Sequence, residues 1–234
     1  MNSIITKYLS KCIRKPRYSI VKEKVRVIIF VLKTGIPWKQ LNHCNFKYSE
    51  SNYRKFHSRL VNLGVIKEVL KEIPKTSKIS YIDTSNIRNK HGEKETIGFN
   101  PQDKKHKGNK VSLIVNEKGK ALNCCVDKGS CHDLKLFDKT IEGVKTKIIV
   151  GDKGYTSQKR KEELRKKGIK LLYPFKKNSK KVNSAKEKKI LKKRHLVENA
   201  FSHLKKFKRI DSRYEVKLKY FVGFVELGVV LISV

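Results

Sequence analysis

The sequence predicts an α/β protein, a mixed sheet flanked by helices and preceded by a small all-α N-terminal region. Two patterns predict it. Through residues 1–75 apolar positions recur at helical spacing, whereas after Pro74 short β-rich apolar runs alternate with helical stretches. The 234 residues include 57 Lys or Arg against 21 Asp or Glu, a formal charge of +36, yet 38% are hydrophobic, enough for a core.

The elements follow in order. Ile20–Leu32 reads as a helix that ends at Gly35 and Pro37. Trp38–Leu41 and Ser49–Leu63 are short pieces, and the apolar positions of Phe56–Leu70 keep helical spacing. Arg54, Lys55, His57 and Arg59 give this region a basic face suited to phosphates, or simply to solvent. Beyond Pro74, Ile79–Asp83 is a strand. Val111–Asn116 and Ala121–Val126 are two more, joined as a hairpin by Glu117-Lys118-Gly119-Lys120. Asp133–Lys139 is a short helix, with Asp133 as its cap and His132 alongside. Strand Lys147–Val150, helix Ser157–Lys167 and strand Ile169–Tyr173 follow. The Lys-rich stretch 176–193 opens as a loop suited to a nucleic-acid backbone, and Lys189–Lys206 reads as one helix. Tyr220–Val234 reads as a buried terminal helix, being fifteen residues long with Glu226 inside it, short of the ~20 a membrane span needs.

Several function classes drop out. A charge of +36 repels itself in a compact state and makes a polyanion the default partner. The five cysteines form no C-x-x-C pair, which argues against a disulfide framework and a zinc ribbon and for a reducing compartment. No signal peptide is expected. The glycines and lysines between Lys90 and Lys110 lack phosphate-loop spacing and read instead as a DNA-contacting loop near the first carboxylate. His132-Asp133 lacks the further histidines of a metal-dependent phosphohydrolase.

Three acidic residues carry the chemistry. Asp83 and Asp152 each close an apolar run, which puts both carboxylates near strand ends, and Glu198 lies within the helical stretch. Each has a bland account alone: Asp83 as cap of the Thr84-Ser85 turn, Asp152 as the start of a loop, Glu198 as the surface partner of Arg194. Together, in a strongly basic chain, they point to oxygen ligation of a hard divalent cation beside a phosphodiester. Arg194, Glu198 and Lys205 fall on one helical face.

The segments Tyr81–Ser85, Gly151–Tyr155 and Arg194–Phe201, with Leu204–Phe207 after them, resemble DDE transposases of bacterial insertion sequences. The likeness continues through Gly98–Pro101, Gly108–Ser112, Gly129–Asp133 and the leader segment Thr34–Leu41. It covers Thr34 to the C-terminus. Arg194, Glu198 and Lys205 match the family's spacing of Arg, Glu and Lys, whereas Leu191 stands where many members carry Tyr. The interval from Asp152 to Glu198 is too short for the insertion domain of some relatives.

What the resemblance implies is a ribonuclease H-like catalytic domain over residues 76–234 behind a helical DNA-binding leader over residues 1–75. It implies two Mg²⁺ ions, with Mn²⁺ as a substitute, held by Asp83, Asp152 and Glu198, with Asp83 bridging them. Arg194, Lys205, Lys206, Lys110, Arg54 and Lys55 would contact DNA. The expected activity is cleavage and strand transfer at terminal inverted repeats into target DNA, by a homodimer assembled on double-stranded DNA. The expected setting is the cytoplasm with its nucleoid, or a host nucleus or viral factory, and no membrane. The alternatives are a repurposed DNA-binding protein and another ribonuclease H-like nuclease.

Overall fold

The computed structural model describes residues 18–100, 103–175, 179 and 182–233. Helix α1 (Tyr18–Thr34) buries Val21, Val25, Ile28 and Leu32 along one stripe, the four-then-three spacing of an apolar helix face. It stops at Gly35, whose φ of 70° is left-handed and costs a glycine little. A Cβ there would also lie 2.9 Å from Lys208 Cβ, so the glycine admits a later segment. After a 3₁₀ turn at Trp38–His43 comes α2 (Glu50–Asn62), which buries Tyr53, His57 and Leu60 and leaves Arg54, Lys55 and Arg59 outside. The helical pattern Phe56–Leu70 is not continuous. Gly64, at φ 67°, breaks it before α3 (Val65–Lys71).

The sheet is built around two long strands. Strand β1 (Ile79–Asn89) lies antiparallel to β3 (Asp103–Asn116), from Ser80 opposite Asn116 to Arg88 opposite Gly108. On the outer edge of β3, β2 (Gly98–Asn100) pairs its first half and β4 (Ala121–Lys128) its second. On the outer edge of β1, β5 (Ile148–Val150) runs parallel to its start and β7 (Ser212–Arg213) parallel to its end. Strand β6 (Lys170–Leu172) completes the sheet, parallel to β5. The stretch 90–110, expected as a loop, is therefore strand over Gly98–Asn100 and from Asp103 on, about half its length. Its polar residues hide the pattern because their stability comes from pairing on both sides of β3.

Side-chain alternation divides the core in two. Ile82, Ile114 and Leu122 face α4 (Asp133–Ile141) and α5 (Gln158–Lys166), packing with Phe137, Tyr155 and Leu164. Tyr81, Ile87, Leu113 and Val115 face the opposite way, toward α7 (His195–Lys205) and α9 (Leu218–Ser233). The same apolar cluster continues into α1, α2 and α3. Helix α9 makes that continuity: Phe221, Phe224, Val225 and Leu227 are buried, each worth roughly 1.5–3 kcal/mol on transfer from water.

Two short helices complete the chain. Helix α6 (Ala185–Lys192) starts at a reciprocal cap in which Ser184 and Glu187 satisfy each other's backbone N–H groups. Helix α8 (Lys208–Asp211) carries Arg209, whose Nε donates to Glu215 Oε1 at 2.7 Å and whose Nη1 reaches the carbonyls of Gly35 and Ile36. The single helix expected over Lys189–Lys206 is two helices, α6 and α7. The break at Lys193-Arg194 falls in a run of good helix formers with no Gly or Pro to mark it.

Candidate functional site

Register brings the first two carboxylates side by side. Tyr81 of β1 is paired with Val150 of β5, and Asp83 and Asp152 each lie two residues further on along these parallel strands. Asp83 is in mid-strand rather than at a strand end, because β3 is long enough to carry β1 on to Asn89. Its Oδ1 accepts from the Thr84 backbone N–H at 2.8 Å, and its Oδ2 from Arg194 Nη2 at 3.2 Å. Asp152 lies just past the end of β5 and opens the 3₁₀ turn Lys153–Tyr155, its Oδ1 accepting from the Gly154 N–H at 2.8 Å.

Burial pushes the Asp83 carboxyl above its ordinary value. The Thr84 N–H and Arg194 pull it back, while the charge of Asp152 pushes it up again. The charge of Asp152 thus disfavours ionisation of Asp83, and a cation held near Asp83 would favour it.

Glu198 stands in the first turn of α7 with its side chain 59% exposed, and its Oε1 lies 3.6 Å from Arg194 Nη2. The guanidinium therefore sits between Asp83 and Glu198. Despite the helix break, Arg194 keeps helical backbone angles, φ −57° and ψ −28°, and so remains one turn ahead of Glu198. Its Nε is buried without a partner among the described residues. Lys205 and Lys206 lie at the other end of α7, Lys205 half-buried and Lys206 exposed. The helix rise puts Lys205 about 10 Å along the axis from Glu198.

Arg54 and Lys55 are exposed on α2, away from this cluster. Lys110 points inward: its side chain is 9% exposed, and Nζ donates to Asp133 Oδ1 and to the Cys131 carbonyl, both at 2.8 Å. Thr84 Oγ1 donates to the same Asp133 oxygen at 3.1 Å. Asp133 is thus a further carboxylate on the α4 face of the sheet, paired with Lys110. The helix cap belongs instead to His132, whose Nδ1 accepts from the Leu134 N–H. The sequence places both residues in the matching segments but not their pairing, since 23 residues separate Lys110 from Asp133.

The donor chemistry suits a divalent cation, since Asp83, Asp152 and Glu198 offer only carboxylate oxygens. Among the described residues, no three Asp, Glu, His or Cys side chains gather into a ready-made metal cluster. Arg194 accounts for this, because its guanidinium spans the gap from Asp83 to Glu198. Cys44, Cys124, Cys125 and Cys131 are free. No described helix is long and apolar enough to cross a membrane.

Comparison with known proteins decides the family. The family model described as "Transposase DDE domain" matches residues 74–216, more than half of the chain. The chain belongs to the transposase DDE-domain family. No curated protein sequence matches it.

Among solved structures, the piggyBac transposase synaptic complex with hairpin DNA is similar over 94% of this chain at TM-score 0.57 and 10% identity. The chain spans 65% of that transposase's length. A pre-cleavage Mos1 transpososome is a more distant likeness, at TM-score 0.33 and 9% identity over 90% of this chain and 77% of the other. The fold of this DDE-domain chain is ribonuclease H-like, a mixed sheet flanked by helices with further helices at its N-terminus. The family match contains all three motif carboxylates.

Proposed function

We propose that this DDE-domain chain is a transposase that cuts the ends of a mobile DNA element and joins them to target DNA. One observation carries the reading: Arg194 links Asp83 to Glu198, and strand register sets Asp152 beside Asp83, so three distant segments meet on one face. Asp83, Asp152 and Glu198 are the metal-holding carboxylates, for two Mg²⁺ ions or Mn²⁺ in their place. Divalent cations there supply Lewis acidity at the scissile phosphodiester.

The chain's own groups do the rest. Arg194 is the positioning cation: its guanidinium now contacts the Asp83 and Glu198 carboxylates and has the geometry to hold a phosphate as well. Lys205 and Lys206 continue that cationic track along α7, and Arg54 and Lys55 grip DNA from α2. Lys110 holds Asp133, which in turn accepts from Thr84, the residue next to Asp83 on β1.

Residues 1–75 serve as the DNA-binding leader and residues 76–234 as the catalytic part, in a cytoplasmic or nucleoid setting. Two protomers act together on double-stranded DNA bearing the terminal inverted repeats, because joining two ends needs two sites. The test is cleavage of such DNA with Mg²⁺ and with chelator. Asp83→Asn, Asp152→Asn and Glu198→Gln should each abolish cutting while retaining DNA binding. Full cutting by all three variants would overturn the assignment.

A further inference from the structure

Strand β4 leaves one edge of the sheet unpaired. The Asn116 N–H donates to the Lys120 carbonyl and the Gly129 N–H to the Gly108 carbonyl, so the even-numbered residues of β3 turn their backbone groups toward β4. Their partners there are Asn123, Cys125 and Asp127. The N–H and C=O groups of Cys124 and Val126 therefore point off the sheet, and among the described residues no strand pairs with them. Such an edge is a template for a further strand.

This edge floors a groove of about 510 Å³. One wall is α3 and α9, with Leu70 and Val222, and the other is the end of α4, with Lys139. The groove closes at the start of β4, where Ser233 Oγ donates to the Ala121 carbonyl at 2.8 Å. Asn123 to Val126 line the rest, about 13 Å of strand. Of the lysines around it, Lys71 and Lys139 are paired with Glu68 and Asp127. Lys75 is the exception: it is half-buried and forms no ion pair among the described residues. Burial, reinforced by Lys71 and Lys67 and opposed by Glu142, pulls its ammonium below the ordinary value. A cation held this way lacks an anionic partner.

We propose that this groove docks an extended, acidic segment of a partner protein, which joins the sheet as a strand beside β4. Such a segment reciprocates both the N–H and the C=O groups of Cys124 and Val126. Phosphates accept but do not donate, so nucleic acid would leave those carbonyls unpaired. Strand alternation sets apolar side chains against Leu70 and Val222 and carboxylates toward the α4 wall, where Lys75 reaches beside Gly143. A second copy of this chain would bring lysines against lysines and leave Lys75 without an anion. Strands β4 and β1 lie on opposite edges of β3, so the occupant leaves Asp83 and Asp152 uncovered.

The experiment measures, by anisotropy, binding of a short fluorescein-labelled peptide of alternating Val and Glu to the full chain. Two further peptides carry N-methyl groups on one or the other set of alternate residues, each blocking one edge of the peptide strand. One set should abolish binding and the other spare it. Lys75→Glu, and Val126→Pro, which removes an outward N–H that β3 does not use, should each weaken binding about tenfold. Lys166→Glu, at an exposed position of α5, should leave it unchanged. If Val126→Pro does not fold, Lys75→Glu alone decides. Absence of binding, equal binding of the two N-methylated peptides, or equal losses with Lys75→Glu and Lys166→Glu overturns the proposal. Displacement of the peptide by single-stranded DNA overturns it in favour of nucleic acid. A dimer in sedimentation that Lys75→Glu or Val126→Pro dissociates overturns it in favour of a second copy.

Discussion

Arg194 donates to Asp83 at 3.2 Å across 111 residues of chain, tying the start of α7 to the middle of β1. A guanidinium in that position competes with any cation for the same oxygens. Arg194→Ala should therefore tighten Mn²⁺ binding by the DNA-free protein by about tenfold, the equivalent of one lost charged hydrogen bond. DNA cutting should nevertheless fall by about 10²-fold, because a phosphate-stabilising cation is gone. Calorimetric titration with Mn²⁺ checks the first effect, and unchanged or weaker affinity would remove Arg194 from the competing role.

Glu226 sits inside the apolar helix α9, and burial, opposed by Lys67, raises its carboxyl to about 7. A raised folded-state value means that its contribution to stability is fully present below the unfolded value of 4.5 and is lost as pH rises through about 7. Glu226→Gln should match the wild type at pH 4 and be the more stable protein at pH 8. Urea unfolding at both pH values reads this directly, and a gap that stays constant would refute it.

Arg209 and Glu215 form a buried pair at 2.7 Å, with side chains 5% and 6% exposed. Removing one charge strands the other, so Arg209→Met should cost about 3–5 kcal/mol. Removing both, as Arg209→Met with Glu215→Leu, should recover most of that loss. The double variant's melting temperature is the deciding value: if it lies below that of the single variant, the pair is worth more than its desolvation.

Gly108 and Gly168 separate crowding from backbone strain. A Cβ on Gly108 would lie 2.1 Å from the Ile87 carbonyl oxygen, and the two strands cannot part without losing register. Gly168 has open space but a φ of 72°. Gly168→Ala should cost about 1 kcal/mol, and Gly108→Ala should cost more than about 3 kcal/mol or prevent folding. Equal losses in denaturant titrations would show that β1 and β3 can separate locally.

Arg54 and Lys55 project from α2 into solvent. If both lie on phosphates, their joint replacement by Ala lowers the slope of log affinity against log salt by about 2. Anisotropy titrations over a salt series measure it, and an unchanged slope would place DNA elsewhere on the protein.

Much of this architecture is legible in local sequence. The hairpin between β3 and β4, the strand just before Asp152 and the helix α9 declare themselves through apolar alternation, turn residues and apolar spacing. The first half of β3 does not, because Lys107, Asn109 and Lys110 are held in place by partners on β1 and β2 and at Asp133. The acidic residues are visible as residues. Their arrangement is not, since it depends on parallel register between β1 and β5 and on a guanidinium from α7. His57 and Glu215 read as ordinary helix and loop positions, and only the packing of α2 against α9 and α8 turns them into buried groups.

Helix α9 joins the leader helices to the sheet in one apolar cluster, and it is made after every residue named in the carboxylate cluster. Synthesis order thus has a kinetic consequence. A growing chain can hold Asp83, Asp152 and Glu198 outside the ribosome while the face that α9 covers is still open to water. Until Phe221 and Phe224 arrive, α2 and α3 lack the apolar partner that α9 supplies. Helix α9 thereby sets the moment at which basic α2 and the Asp83–Glu198 face come to share one apolar core.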